Sequence, residues 1–215
     1  MKQIGCKIIP IVEGFCYKPP VGCFGYASVF LVKDENKNIL FDTGAYCVRK
    51  EIINLLKKVH IDCVVISHLH FDHCSNLDLF KNSDTKILLS KLEFKSYFKN
   101  KYKDNDLFNY FDYIYQYLNL KFVKDNEQIS PNCTIIFTPG HSIGHISLKI
   151  QDKEKTYLLC GDAIKSKKEK KHLNKNTNAY DYNLAVNTRK DILKRYKYIL
   201  YGHDCYKKKL KIRRF

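Results

Sequence analysis

Ser67-His68-Leu69-His70-Phe71-Asp72-His73 places four potential metal ligands within six residues. It follows directly on the short apolar run that opens at Cys63, so Cys63–Ser67 reads as a buried strand ending in a ligand-rich loop. Imidazole and carboxylate donors at this density suit zinc, and also iron, manganese or cobalt. One strand end cannot close a cage by itself, so other ligands must arrive from elsewhere. Three segments end a predicted strand in the same way, with a glycine next to a His or Asp: Thr138-Pro139-Gly140-His141, Cys160-Gly161-Asp162-Ala163 and Tyr201-Gly202-His203-Asp204. Glycine there lets the backbone turn sharply. Five of the eight histidines fall in this constellation, which favours a shared site over a set of ordinary polar loop residues. His60, His145 and His172 are assigned to the ordinary class.

Working outward, strands are expected at Lys7–Val12, Tyr26–Val32, Ile39–Phe41, Lys86–Leu89, Thr134–Phe137, Ile146–Ile150, Tyr157–Cys160 and Tyr198–Tyr201. Ile52, Ile53, Leu55, Leu56 and Val59 recur at helical spacing and predict a helix over Val48–Val59. Ser90 with Glu93, and Thr188 with Asp191, match the capping-box pattern and open two more. The aromatic stretch Leu107–Leu120 is read as helical. This order of strands and helices predicts an α/β sandwich, two sheets packed together with helices outside. Residues 1–215 read as one domain, a length sufficient for a substantial core.

Hydrophobic residues make up 45% of the chain and aromatics 13%, which excludes a disordered polypeptide. The nine cysteines are scattered, with no C-x-x-C pair and no apolar leader before them. That pattern reads as a reducing compartment, so a cytoplasmic protein with no membrane span is expected. The formal net charge of +16 admits a nucleic-acid partner. Because the lysines are spread along the chain, with denser runs only at Lys165–Lys171 and Lys207–Arg214, a solvated surface is the favoured reading.

His-x-His-x-Asp-His followed by separate His, Asp and His resembles the metallo-β-lactamase superfamily, and the resemblance runs from Tyr26 to Asp204. It implies an αββα sandwich of two mixed β-sheets with the metals at one edge. It also implies two metal ions, zinc foremost. His68, His70 and His141 would bind the first, Asp72, His73 and His203 the second, and Asp162 would bridge them. Asp42 in Asp-Thr-Gly matches the superfamily's early turn and would orient a ligand; read alone, it is an ordinary turn Asp. Asp72 is the residue best placed to carry a proton to the leaving group.

Within the superfamily the chain is most similar to N-acyl homoserine lactone lactonases, in Ser67–His73, in Thr-Pro-Gly-His-Ser-Ile-Gly-His, in Gly-Asp-Ala and in Gly-His-Asp. Those enzymes usually carry a Tyr three residues after the bridging Asp, where this chain has Lys165. Lys165 is read either as a grip on an anionic small-molecule substrate or as the start of the solvated run Lys165–Lys171. The resemblance implies hydrolysis of a lactone or ester-like small molecule. A small ribonuclease or phosphodiesterase, a thioesterase and a mononuclear iron sulfur dioxygenase are the alternatives. Zinc β-lactamases of the commonest type carry Cys at the position of Asp162, and flavodiiron proteins carry Glu at that of His70, which disfavours both activities. The stretch Phe15–Tyr26, with the aromatics Phe15, Tyr17, Phe24 and Tyr26 around Pro19 and Pro20, lies where relatives carry a loop over the site. The polar segment Lys165–Asn187 is either a second lid or a surface insertion.

Overall fold

The computed structural model describes residues 5–17, 24–100, 107–170 and 179–204. The chain opens with β1 (Lys7–Val12), a hairpin of β2 (Phe15–Tyr17) and β3 (Phe24–Tyr26), and a second hairpin of β4 (Val29–Asp34) and β5 (Lys37–Phe41). Helix α1 (Arg49–Leu56) leads to β6 (Cys63–Val65), the short α2 (Phe71–Cys74), β7 (Lys86–Ser90), α3 (Lys91–Asn100), the single turn α4 (Phe111–Ile114) and β8 (Asn119–Val123). Strands β9 (Gln128–Ser130), β10 (Cys133–Phe137), β11 (Ile146–Asp152) and β12 (Lys155–Leu159) follow, then α5 (Lys167–Lys170), α6 (Tyr182–Arg195) and β13 (Tyr198–Leu200).

Two mixed sheets carry the architecture, in the spatial orders β1-β4-β5-β6-β7-β8 and β13-β12-β11-β10-β9. Strands buried on both faces are near-continuous in apolar residues, as β4 and β6 are. Alternate residues of one strand serve two cores. Phe30, Val32, Ile39, Phe41 and Val65 point toward the second sheet and pack with Ile135, Leu148 and Leu158. Val29, Leu31, Leu40 and Val64 point the other way and pack with Ile52 and Leu55 of α1, Tyr97 of α3 and Phe111 of α4. Each such side chain contributes roughly 1.5–3 kcal/mol when fully buried. On the second sheet, α6 adds Ile192 to the core. The expected αββα sandwich is the observed one.

Strands β5, β6 and β7 run parallel. In the other sheet β13 is parallel to β12, and β10 runs the same way because both pair antiparallel with β11. The carboxyl ends of β5, β6, β10, β12 and β13 therefore share one rim. They lead into Asp42, His68, His141, Asp162 and His203, respectively.

Three readings are corrected. Leu107–Leu120 is helical only over Phe111–Ile114, followed by a 3₁₀ turn at Tyr115–Tyr117; Asn119 and Leu120 already belong to β8, an edge strand with mostly exposed side chains and hence weak periodicity. The last helix begins at Tyr182, not near Thr188. Asp181 caps it by accepting from Leu184 N at 3.0 Å, and Thr188 lies inside the helix with its hydroxyl donating to Pro139 O at 2.6 Å. The β2–β3 hairpin and β9 were not expected, since three-residue strands carry no readable period. His172, Pro19, Pro20, Lys171 and Lys207–Arg214 lie outside the described residues. Among the described residues no helix is long and apolar enough to cross a membrane.

Candidate metal centre

All seven residues singled out by spacing converge on the rim. His68 and His70 flank Leu69 in the loop after β6, and His141 descends from the second sheet between them. His141 Nε2 lies 3.2 Å from His68 Nε2 and 3.1 Å from His70 Nδ1. Three ring nitrogens thus point at one another. Neutral imidazoles facing in this way can share only part of their lone pairs as N–H···N contacts, so the arrangement calls for a cation.

A second group forms beside the first. His203 Nε2 lies 3.3 Å from Asp72 Oδ2, and His73 Nε2 lies 3.9 Å from the same oxygen. Asp162 stands between the groups. Its Oδ1 is 3.2 Å from His73 Nε2 and 3.1 Å from His203 Nε2, while its Oδ2 is 3.3 Å from His141 Nε2. Gly202 makes room for this carboxylate, because a Cβ there would collide with Asp162 Oδ1. Three overlapping clusters have ligand atoms close enough to share an ion: His68–His70–His141, His68–His73–Asp162 and Asp72–His73–His203. His73 Nε2 and Asp162 Oδ1 are buried and close as an ion pair, yet neither makes a well-aligned hydrogen bond. Buried polar atoms left this way are costly unless an ion satisfies them, so the donor set fits metal binding.

Three of these imidazoles, His68, His73 and His203, are oriented from behind. Asp42, fully buried and at φ 59°, accepts from Ser67 N (2.7 Å) and Ser67 Oγ (2.9 Å) and lies 2.7 Å from His73 Nδ1. Ser67 Oγ in turn lies 3.0 Å from His68 Nδ1. Both rings are thereby turned with Nε2 toward the centre, the arrangement in which a carboxylate fixes an imidazole's tautomer. His203 Nδ1 faces the carbonyl of Tyr26 at 3.1 Å, so the β2–β3 hairpin braces that ligand.

The electrostatics divide the histidines. Burial holds His68 and His141 well below the ordinary imidazole range, so both are neutral and free to ligate. Burial also opposes charge on His73 and His203, but Asp162 and Asp72 outweigh it and raise both. Burial alone would raise Asp162, yet Lys165, His203 and His73 hold it well below the carboxylate range.

Lys165 reaches the same place. Its Nζ lies 3.1 Å from Asp162 Oδ2, with about a quarter of the side chain open to solvent. Its loop is tied back by Glu169, which accepts from Lys165 N and pairs with the buried Arg189 at 3.1 Å. Arg189 Nε also donates to Ala163 O at 3.1 Å.

Two residues escaped the sequence reading. His145, taken as ordinary, is fully buried and accepts from Asp162 N at 3.2 Å through Nε2, while its Nδ1 meets Thr138 Oγ1 at 2.8 Å. Burial lowers it to about 3, so it remains neutral and fixes the backbone of Asp162. Its position four residues after His141, at the start of a strand, was the available signal. Glu93, expected only in a helix cap, has its carboxylate inside the ligand loops instead. Of the cysteines, seven are described as free thiols, and none is a member of the three clusters at this rim.

A family model described as the metallo-beta-lactamase superfamily matches residues 24–203. The N-acyl homoserine lactonase AiiA of Bacillus thuringiensis subsp. kurstaki is 28% identical over 167 residues, 74% of this chain and 64% of the relative. The chain thus spans somewhat under two thirds of that enzyme's length. A solved N-acyl homoserine lactone hydrolase with its product N-hexanoyl-L-homoserine at the catalytic metal center superposes with a TM-score of 0.76 at 23% identity, covering 100% of this chain and 98% of that one. AidC, a dizinc quorum-quenching lactonase, superposes at 0.62 with 21% identity, covering 80% of this chain and 69% of its own. Two sheets whose strand ends deliver His, Asp and His to one rim, with the family match spanning that whole framework, make this chain a member of the metallo-beta-lactamase superfamily.

Proposed function

We propose that this chain is a dinuclear metal-dependent hydrolase that opens a lactone or cleaves an ester-like small molecule. The observation that carries the reading is Asp162, whose two oxygens face two separate groups of imidazoles. In this reading His68, His70 and His141 would hold one ion and Asp72, His73 and His203 the other, with Asp162 shared between the two groups. Zinc suits the mixed nitrogen and oxygen donors, and the dizinc lactonase among the structural relatives supports it. When bound, the ions supply Lewis acidity toward the substrate carbonyl and ionise water near neutral pH.

The chain's own residues do the rest. Water adds to the carbonyl carbon, the ring C–O bond breaks, and the proton lost by water ends on the leaving oxygen. Asp72, a partly exposed carboxylate at the mouth, is the group that carries that proton. Lys165 is paired to Asp162 and about a quarter exposed, so its ammonium would be available to an anionic group of the substrate. Burial works against its charge, but Asp162 outweighs it and keeps the amine protonated.

The test is elemental analysis of purified protein together with lactone, thioester and phosphodiester substrates. Two zinc per chain and turnover of lactones or esters are expected. One iron per chain would point to oxygen chemistry instead. A second reading, cleavage of RNA, draws on the net charge of +16; it requires phosphodiester turnover and binding that weakens steeply with salt.

A further inference from the structure

We propose that Glu93 is a positioning residue for the first metal, clamping together the two loops that carry His68, His70 and His141. The inference rests on the metal-binding reading above and deepens it. Glu93 sits at the start of α3 and is 2% exposed. Its backbone N–H donates to Ser90 Oγ at 3.1 Å, as a capping box requires, but its carboxylate does not turn back to complete the box. Oε1 accepts from Leu69 N at 3.0 Å, the residue between His68 and His70. Oε2 accepts from Ser142 Oγ at 2.6 Å and from Gly144 N at 3.1 Å, in the loop that begins with His141. One carboxylate therefore joins the loop after β6 to the loop after β10.

The fit is close on the backbone side too. A Cβ on Gly144 would collide with the backbone N of Glu93, so the second loop lies directly on the start of α3. These three partners are neutral donors. A buried carboxylate held by neutral dipoles is expensive to maintain, and a cation held by the histidines on either side of Leu69 would supply the opposite charge. Two of the bonds hold the loop that begins with His141, and the third holds Leu69, between His68 and His70; Asp72 and His73 are reached only through the short helix that follows, and His203 not at all. The effect of losing them should thus fall mainly on the first ion.

Glu93→Gln is the informative substitution. It keeps the shape but turns one terminal oxygen into an N–H donor. Leu69 N–H and Gly144 N–H approach different oxygens, so either orientation of the amide sets a donor against a donor. The experiment is a zinc titration of metal-free protein against a chromophoric chelator, with thermal melts in parallel. His203→Ala assigns the steps, since the step it retains belongs to the first ion. In Glu93→Gln that step should weaken by about 10–100-fold while the other changes markedly less. Ser142→Ala, which removes one bond of the three, should move the same step by less. Wild-type affinity at both steps overturns the proposal. So does equal weakening of both, or a collapse of cooperative melting in Glu93→Gln with Ser142→Ala unaltered in zinc binding, because Glu93 would then serve the fold alone. A wild-type chain that takes up no zinc defeats the metal reading itself and is seen before any variant is made.

Discussion

Replacing Asp42 with Asn tests how far the second ion depends on a residue that never touches it. The carboxylate and the His73 ring are both fully buried and meet at 2.7 Å. Asn is isosteric, and its remaining oxygen can still accept from Ser67 N. Its Nδ2 then occupies the place of Oδ2 and faces His73 Nδ1, donor against donor. To accept from that amide, His73 must move its proton from Nδ1 to Nε2, the nitrogen that points at Asp162. A ligand with a proton on its coordinating atom cannot bind a cation. A hydrogen bond to a charged group contributes about 1.5–3 kcal/mol, which at about 1.4 kcal/mol per tenfold corresponds to a 10–100-fold loss. Zinc titration of Asp42→Asn should accordingly show one step weakened by that factor. Side-chain ¹⁵N–¹H spectra of the metal-loaded proteins should show the Nδ1–H tautomer of His73 in the wild type only. Two zinc bound with unaltered affinity, or an unaltered tautomer, would refute the reasoning.

Asp162→Ala removes the carboxylate shared by both groups, so metal content and activity should fall together; full occupancy in that variant would contradict the bridge. Lys165→Glu should raise KM for an anionic substrate by about tenfold or more with kcat less affected, and an unchanged KM would remove Lys165 from substrate binding. For pH, the folded-state values of His73 and His203 are raised, so in chelated protein their stabilising contribution is complete below about pH 6.5 and is lost as pH rises through the folded values. Asp162 is depressed, so its contribution is lost only as pH falls below the carboxylate range. Melts of chelated and zinc-loaded protein from about pH 7 to about pH 9 should therefore diverge, the zinc-loaded form gaining relative to the other as protons cease to compete with metal; converging curves would show that these two rings are not protonated without metal.

The convergence of these seven residues was legible because each follows a strand end and is announced by a glycine or by the density of His and Asp around His70. Strands with continuous burial, such as β4 and β6, were legible for the same reason: hydrophobic runs report double-sided burial directly. What could not be read were contacts that join distant segments. Glu93 carries a local pattern that fully explains it as a helix cap, and only the tertiary approach of Leu69 and Gly144 shows what its side chain does. His145 likewise satisfies every local rule for a buried polar residue at a strand start, and its hydrogen bond to Asp162 spans two loops. Thr188 misled because Thr-x-x-Asp fits a cap wherever it occurs, whereas Asp181 holds the position by bonding a free N–H of the first turn.

The distribution of the proposed ligands between the sheets would link metal binding to the sandwich itself. His68, His70, Asp72 and His73 follow β6 of one sheet; His141, Asp162 and His203 follow β10, β12 and β13 of the other. Over most of their length the sheets meet through Phe30, Val65, Ile135 and Leu148, an apolar contact that needs no ion. At the rim they meet through imidazoles and carboxylates whose charges must be balanced. In the proposed reading neither sheet alone holds a complete ligand set, so the unfolded chain would not bind ions as the folded one does, and the binding free energy would be added to the stability of the docked sheets. Under that proposal the ions would cross-link the two sheets at the rim.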